Sequence, residues 1–266
     1  MARWTAADIP WVAFEPARLD ADLLKLVKAA SVVERNAADY TAYLRAVFRG
    51  EPTFLAIADG WQADEERHGD VLGRYAEMAD PGFDFPSRFR RFVDGYRIPL
   101  DRATSVRGSL TGEMLARCIV ETGTSSLYSA LGDATEEPLL KAICRRIAAD
   151  EFRHYKMFYE VMRALAQRER VPVFRRLAVA VGRVREADDD ELSYAWYAAN
   201  EAEGVPYERR SCARAYARRA FGCYRDKHAE RAVSMIMKAV GLAPHGWLAA
   251  NAKRFAKWKM AALAAA

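Results

Sequence analysis

The hexapeptide Ala63-Asp64-Glu65-Glu66-Arg67-His68 returns 86 residues later as Ala149-Asp150-Glu151-Phe152-Arg153-His154. A carboxylate and an imidazole three residues apart lie within about 60° of each other around a helix axis, so they can grip one metal ion. Glu65 and His68 make one such pair, and Glu151 and His154 make a second. A two-metal site in a four-helix bundle asks for one further carboxylate from each of two other helices. Glu34, in Val-Val-Glu-Arg-Asn, and Glu121, in Ile-Val-Glu-Thr-Gly-Thr, supply them. Glu34 precedes Glu65 by 31 residues and Glu121 precedes Glu151 by 30, which predicts two matched helix pairs and a pseudo-two-fold site. Four hard carboxylates and two imidazoles suit two iron ions, with manganese or a mixed manganese and iron pair as the alternative; the lack of thiolate argues against structural zinc. Two ferrous ions can each pass an electron to O2, so the pattern also calls for O2 and an external electron donor.

The helices that must present these residues can be read from apolar spacing. Val27, Ala30, Glu34, Ala37, Thr41, Leu44 and Phe48 alternate steps of three and four, the spacing of a bundle seam. Ala58, Trp61, Glu65, His68, Leu72 and Tyr75 repeat it, as do Leu140, Cys144, Ile147, Glu151, His154, Phe158, Val161 and Leu165. The ligand candidates thus replace core residues. Carboxylates buried together in one layer repel each other and lose hydration at a cost of several kcal/mol each, unless cations compensate them. Glu66 points about 100° away from Glu65, so solvent or a supporting contact is expected for it, as for Glu113. Helices are expected over 20–49, 51–79, 104–132 and 135–166, with others over 172–186, 189–202, 207–240 and 246–264. Pro52 suits a helix start, while Pro81-Gly82, Pro86 and Pro99 mark a long crossover between the second and third helices. Pro172 and Asp188-Asp189-Asp190 punctuate the remainder. The expected organisation is all-α, one domain over 1–266 with a four-helix core over 20–166 and accessory helices over 167–266 packed on it.

The 266 residues are 52% hydrophobic and 29% charged, a globular composition with enough chain for a large core. No signal-like segment opens the sequence and no run of 18 apolar residues occurs, so a soluble cytoplasmic protein is expected. Cys118, Cys144, Cys212 and Cys223 lack framework spacing and read as free thiols. The net charge of +5 includes Arg-Phe-Arg-Arg over 88–91 and Lys253, Arg254, Lys257 and Lys259, patches that would steer an acidic or phosphorylated carrier. No nucleic-acid motif accompanies them. Residues 246–264 set Trp247, Leu248, Phe255 and Trp258 against lysines. Such a helix either docks its apolar face on its own bundle or makes peripheral contact with an anionic membrane. Gly69, Gly123, Ser125 and Ser126 would leave room for a channel or for close helix packing. Trp11, Trp61 and Tyr128 read as core residues, with electron transfer or channel lining as the alternative. His228 and His245 read as structural.

Ala-Asp-Glu-Glu-Arg-His-Gly-Asp-Val-Leu over 63–72 and Ile-Ala-Ala-Asp-Glu-Phe-Arg-His over 147–154 resemble the metal-binding helices of the soluble acyl-carrier-protein desaturases, members of the ferritin-like di-iron superfamily. The resemblance covers roughly residues 25–165 and implies a ferritin-like bundle with a di-iron core, to which the 167–266 helices are additional. It also implies removal of hydrogens from a fatty-acyl chain carried by acyl carrier protein or coenzyme A, a ferredoxin-type reductant and a homodimer. Aldehyde-deformylating oxygenases and ligand-binding ribonucleotide-reductase-like oxidases share the ligand pattern; hydroxylation or aldehyde deformylation is the catalytic alternative, and an iron-binding or storage protein the non-catalytic one. By the family pattern Asp150 would serve His68 across the bundle, with Asp64 its counterpart, and Arg67 and Arg153 could pair with these carboxylates. Thr124, one turn beyond Glu121, matches the family's threonine near the oxygen site, where it would relay protons.

Overall fold

The computed structural model describes residues 3–98, 100, 102–186 and 190–265. Pro99, Asp188 and Asp189, used above as punctuation, lie outside the described residues. Among the described residues, eleven α-helices and three short 3-10 turns make up the regular structure and no strand occurs. The core helices are α1 (Ala21–Arg35), α2 (Ala37–Val47), α3 (Pro52–Ala79), α5 (Leu110–Ala134) and α6 (Pro138–Glu169), with α4 (Phe85–Gly95) inside the crossover.

Three of the core helices, α1, α5 and α6, start at a side chain that caps them. The Asp20 carboxylate accepts from the Asp22 and Leu23 amides, the Ser109 hydroxyl from Gly112, and Glu137 from Leu139 and Leu140. These side chains satisfy amide groups that the first helical turn leaves without partners. Pro52 and Pro138 occupy first-turn positions, where a missing N–H is harmless. The short connections from α2 to α3 and from α5 to α6 fold each pair into an antiparallel hairpin. The α1–α2 segment packs on α3, α5 packs on α6, and α3 meets α6 to close the four-helix bundle.

Several expected boundaries differ; the helix expected from 104, for one, begins at Leu110. The helix expected over 20–49 breaks at Asn36, whose amide bonds to the Val33 carbonyl at 3.1 Å, one residue short of an α-helical bond. The break sits where α1 leans on α3: a Cβ at Gly69 would lie 2.5 Å from the Arg35 backbone nitrogen. Gly69 therefore serves close helix packing, not a channel. The stretch expected as one helix over 207–240 is two, α9 (Arg209–Gly222) and α10 (Asp226–Val240), separated after Gly222. The long crossover between the second and third expected helices holds α4, capped by Asp84 and anchored by the buried Phe92.

The remaining helices are α7 (Val173–Glu186), α8 (Asp190–Asn200) and α11 (Trp247–Ala265). α8 covers α1 and α4, α10 lies on α5, α7 touches α5 and α10, and α11 rests on α9 and α10. Two apolar clusters result, one around Leu26, Leu72, Tyr75, Leu131, Ile147 and Trp196, the other around Leu44, Phe48, Phe54, Trp61, Leu115 and Phe158. Along the α1–α2 segment and on α3, α5 and α6 the ligand candidates fall between the residues of one cluster and those of the other. All four cysteines are buried free thiols. Among the described residues no helix is long and apolar enough to cross a membrane.

Candidate metal centre

Glu34 on α1, Glu65 and His68 on α3, Glu121 on α5, and Glu151 and His154 on α6 converge in that middle layer, all buried. Their donor atoms form two groups able to hold an ion: Glu34, Glu65, His68 and Glu151 in one, Glu65, Glu121, Glu151 and His154 in the other. Within each group one donor atom per residue lies within 4.8 Å of every other. Glu65 and Glu151 belong to both groups, so they are placed to bridge, while the remaining four are terminal. The His68 Nδ1 atom lies 3.1 Å from Glu151 Oε1, and His154 Nδ1 lies 2.9 Å from Glu65 Oε1. Each bridging carboxylate thus reaches the imidazole of the opposite helix.

The fit to metal can be judged from atoms left without partners. Glu34 Oε2, Glu65 Oε1, His68 Nδ1, Glu121 Oε2, Glu151 Oε1 and His154 Nδ1 are all buried and lack a hydrogen bond. Buried polar atoms are nearly always paired, so six orphans facing one space need a common partner. Oxygen and imidazole donors in this number are a first-row metal set. Without that partner two of the carboxyls, Glu65 and Glu121, resist ionisation. Burial, then the charges of Glu151 and Glu34, push the Glu65 carboxyl well above its usual range. Burial and the Glu151 charge likewise raise Glu121.

The outer nitrogens of both imidazoles meet aspartates. His68 Nε2 lies 3.1 Å from Asp150 Oδ2, and His154 Nε2 lies 3.3 Å from Asp64 Oδ2. A proton on Nε2 leaves the Nδ1 lone pair facing the centre, the tautomer a metal requires. Arg67 donates to Asp64 at 2.7 Å and to Asp150 at 3.0 Å, while Arg153 donates to Asp150 at 2.6 Å and to Asp64 at 2.9 Å. Burial alone would raise the Asp150 carboxyl, but bonds from His68 and Arg153 hold it down to about 2. Asp64, buried as deeply, is held low by His154, Arg67 and Arg153.

Other residues singled out in the sequence take varied places. The Thr124 hydroxyl donates to Glu151 Oε2 at 2.5 Å. The Tyr128 hydroxyl donates to Glu34 Oε1 at 2.6 Å, so this residue touches the centre besides filling the core. Trp61 packs edge-on against Phe158 in the apolar core, whereas Trp11 lies outside under the Arg74 guanidinium. Ser125 and Ser126 are buried, while Gly123 is exposed with open space beside it. Glu113 is buried and accepts from Tyr43 and Ser105, and Glu66 pairs with Arg35. His228 bonds to Asp133 at 2.9 Å, away from the centre, and His245 is exposed.

One contact had no signal in the sequence. The Trp4 ring stacks on His68 with centroids 5.8 Å apart, and its Nε1 donates to Asp150 Oδ2 at 2.9 Å. Arg67 lies over the other part of this arrangement, 4.5 Å from the Trp4 ring, and Arg3 reaches Asp64 at 3.1 Å. The segment before α1 has no helical period to tie it to α3 or α6.

Bundle and centre together define an all-α, ferritin-like protein with a buried carboxylate and histidine cluster able to hold two metal ions. Residues 113–238, slightly under half of the chain, match the Rubrerythrin family model, which describes a ferritin-like di-iron carboxylate family. Glu121, Glu151 and His154 fall inside the matched stretch; Glu34, Glu65 and His68 precede it. The match and the cluster support a di-iron protein. No curated protein matches the chain.

Proposed function

We propose that this protein is a non-haem di-iron oxidoreductase that reduces O2 with electrons from an external donor and oxidises a fatty-acyl-type substrate, desaturation being the favoured outcome. The observation that carries the reading is the set of six orphaned donor atoms in a layer sealed by apolar residues on both sides. In it Glu34, Glu65, His68, Glu121, Glu151 and His154 hold two iron ions, or manganese in one or both places. Bound iron would supply the redox chemistry that no side chain here provides. Asp64 and Asp150 orient the imidazoles, and Thr124 holds a proton at Glu151 Oε2. The fatty-acyl assignment rests on the resemblance of 63–72 and 147–154 to the acyl-carrier-protein desaturases. Acyl carrier protein or acyl-coenzyme A as substrate carrier, a ferredoxin-type reductant and a homodimeric state belong to the same reading. The basic surface would favour an acidic or phosphorylated carrier.

The test is incubation of ferrous-reconstituted protein with acyl-carrier-protein, acyl-coenzyme A and free-acid substrates, O2 and a ferredoxin reducing system, followed by mass spectrometry. Loss of two hydrogens from the acyl chain, with saturation at two irons per chain, is the expected result. Gain of oxygen would replace desaturation by hydroxylation, and loss of one carbon would replace it by deformylation. Iron uptake far beyond two per chain in a large shell would overturn the oxidoreductase reading in favour of storage.

A further inference from the structure

The helix α11 reverses the usual arrangement of an amphipathic helix on a globular protein. Only Ala249 is buried along it, while Trp247, Leu248, Phe255 and Trp258 are 76%, 53%, 60% and 67% exposed. Docking of the apolar face on the bundle, one of the two expectations for residues 246–264, is therefore not what the fold adopts. The inner side is held by polar contacts instead: the Lys257 ammonium meets Asp226 at 2.8 Å and Glu230 at 2.6 Å on α10, and Lys253 bonds to the Pro244 carbonyl at 3.3 Å. These contacts fix the rotation of α11 and turn its aromatic side outward.

The four exposed side chains fall within an arc of about 100° around the helix axis. Phe255 and Trp258 touch, with ring centroids 5.7 Å apart. Arg254 flanks one border of the arc and Lys259 the other, about 20° beyond it on each side. A row of aromatic and aliphatic side chains bordered by long cationic ones suits a lipid headgroup layer. There the rings enter the acyl boundary and the cations reach phosphate. Charge decides among occupants. Along α11 stand Lys253, Arg254, Lys257 and Lys259 and no Asp or Glu; Lys257 faces Asp226 and Glu230 of α10, while Arg254 and Lys259 border the apolar row. A second copy of the chain related by a two-fold axis would set these cations against themselves, whereas an anionic lipid surface complements them.

We propose that α11 attaches this protein to anionic phospholipid membranes, lying in the plane of the headgroups with Trp247, Leu248, Phe255 and Trp258 inserted. The attachment is peripheral, since no described helix is long and apolar enough to span. It is independent of metal loading, because α11 rests on α9 and α10, which carry none of the ligand candidates.

The test uses the full chain, with and without metal, sedimented with phosphatidylcholine vesicles that either contain or lack phosphatidylglycerol. Binding to the anionic vesicles alone, weakened by salt, is expected. The double variant Phe255→Ser, Trp258→Ser should bind at least about tenfold more weakly, with unchanged helicity because both side chains are exposed. Failure to bind anionic vesicles, or equal binding by the variant, would overturn the proposal. Sedimentation equilibrium without lipid supplies the remaining outcome. Self-association of the parent chain that the double variant abolishes would assign the row to a second copy and overturn membrane attachment.

Discussion

Glu151 takes part in more of the centre than any other side chain: it belongs to both ion groups, accepts from Thr124 and lies 3.1 Å from His68 and 3.8 Å from His154. Replacing Glu151 or His154 with Ala should abolish binding of at least one metal while the helices survive, as read by elemental analysis and circular dichroism. Unchanged stoichiometry of two in both variants would refute the assignment of ligands. Thr124→Val removes the proton held at Glu151 Oε2 but no ligand. Two metals per chain and a kcat lowered by about 10- to 100-fold are the expected outcome, with KM little changed. Proton linkage supplies a third expectation. The Glu121 carboxyl is pushed up from 4.5 to about 8 in the metal-free fold, by burial and by Glu151, and Glu65 is raised well above its usual range. A carboxyl whose folded-state value exceeds its unfolded value favours the fold fully below the unfolded value and loses that contribution as pH rises through the folded one. The metal-free chain should therefore lose stability between pH 4.5 and about 8. Divalent metal bound at pH 7 should displace protons. Calorimetric titration with a divalent metal in two buffers of different ionisation enthalpy measures that release.

The contact between α1 and α3 shows how backbone, not side chains, sets the position of Glu34. Gly69 lies against the Arg35 backbone, one residue from Glu34, and a methyl group there would collide with nitrogen and Cα at 2.5 and 2.7 Å. Gly69→Ala should destabilise the chain by about 1–3 kcal/mol in denaturant unfolding, the usual cost of overpacking. It should also weaken the metal group that includes Glu34 and His68. Close approach and spare volume demand the same residue, which is why the sequence left this glycine open between packing and a channel. The four core helices and the six candidate donors were legible because seam spacing and Glu-x-x-His operate within one helix. The break at Asn36 was not, because it depends on what α3 presents at Gly69. Neither was the placement of Trp4 on His68, which joins an aperiodic segment to α3 and α6. Tyr128 lies between these cases: it reads as a core residue in the sequence, but only the fold brings it to Glu34.

Across the whole molecule the two apolar clusters act as plates above and below a single charged layer, and the Asp64, Asp150, Arg67 and Arg153 lattice ties α3 to α6. The outward side of α11 adds a surface whose exposure serves neither plate. The repeated hexapeptide would make the two ion positions equivalent if nothing else touched them. Trp4 ends that equivalence, since it stacks on His68 and donates to Asp150, while the counterpart Asp64 receives the charged Arg3 instead. Glu34 is gripped by Tyr128, and no tyrosine hydroxyl bonds to Glu121 among the described residues. On the proposed reading, like ligand sets with unequal backing should give two ions of unequal affinity, taken up stepwise through a half-filled state, with scope for two different metals in one chain.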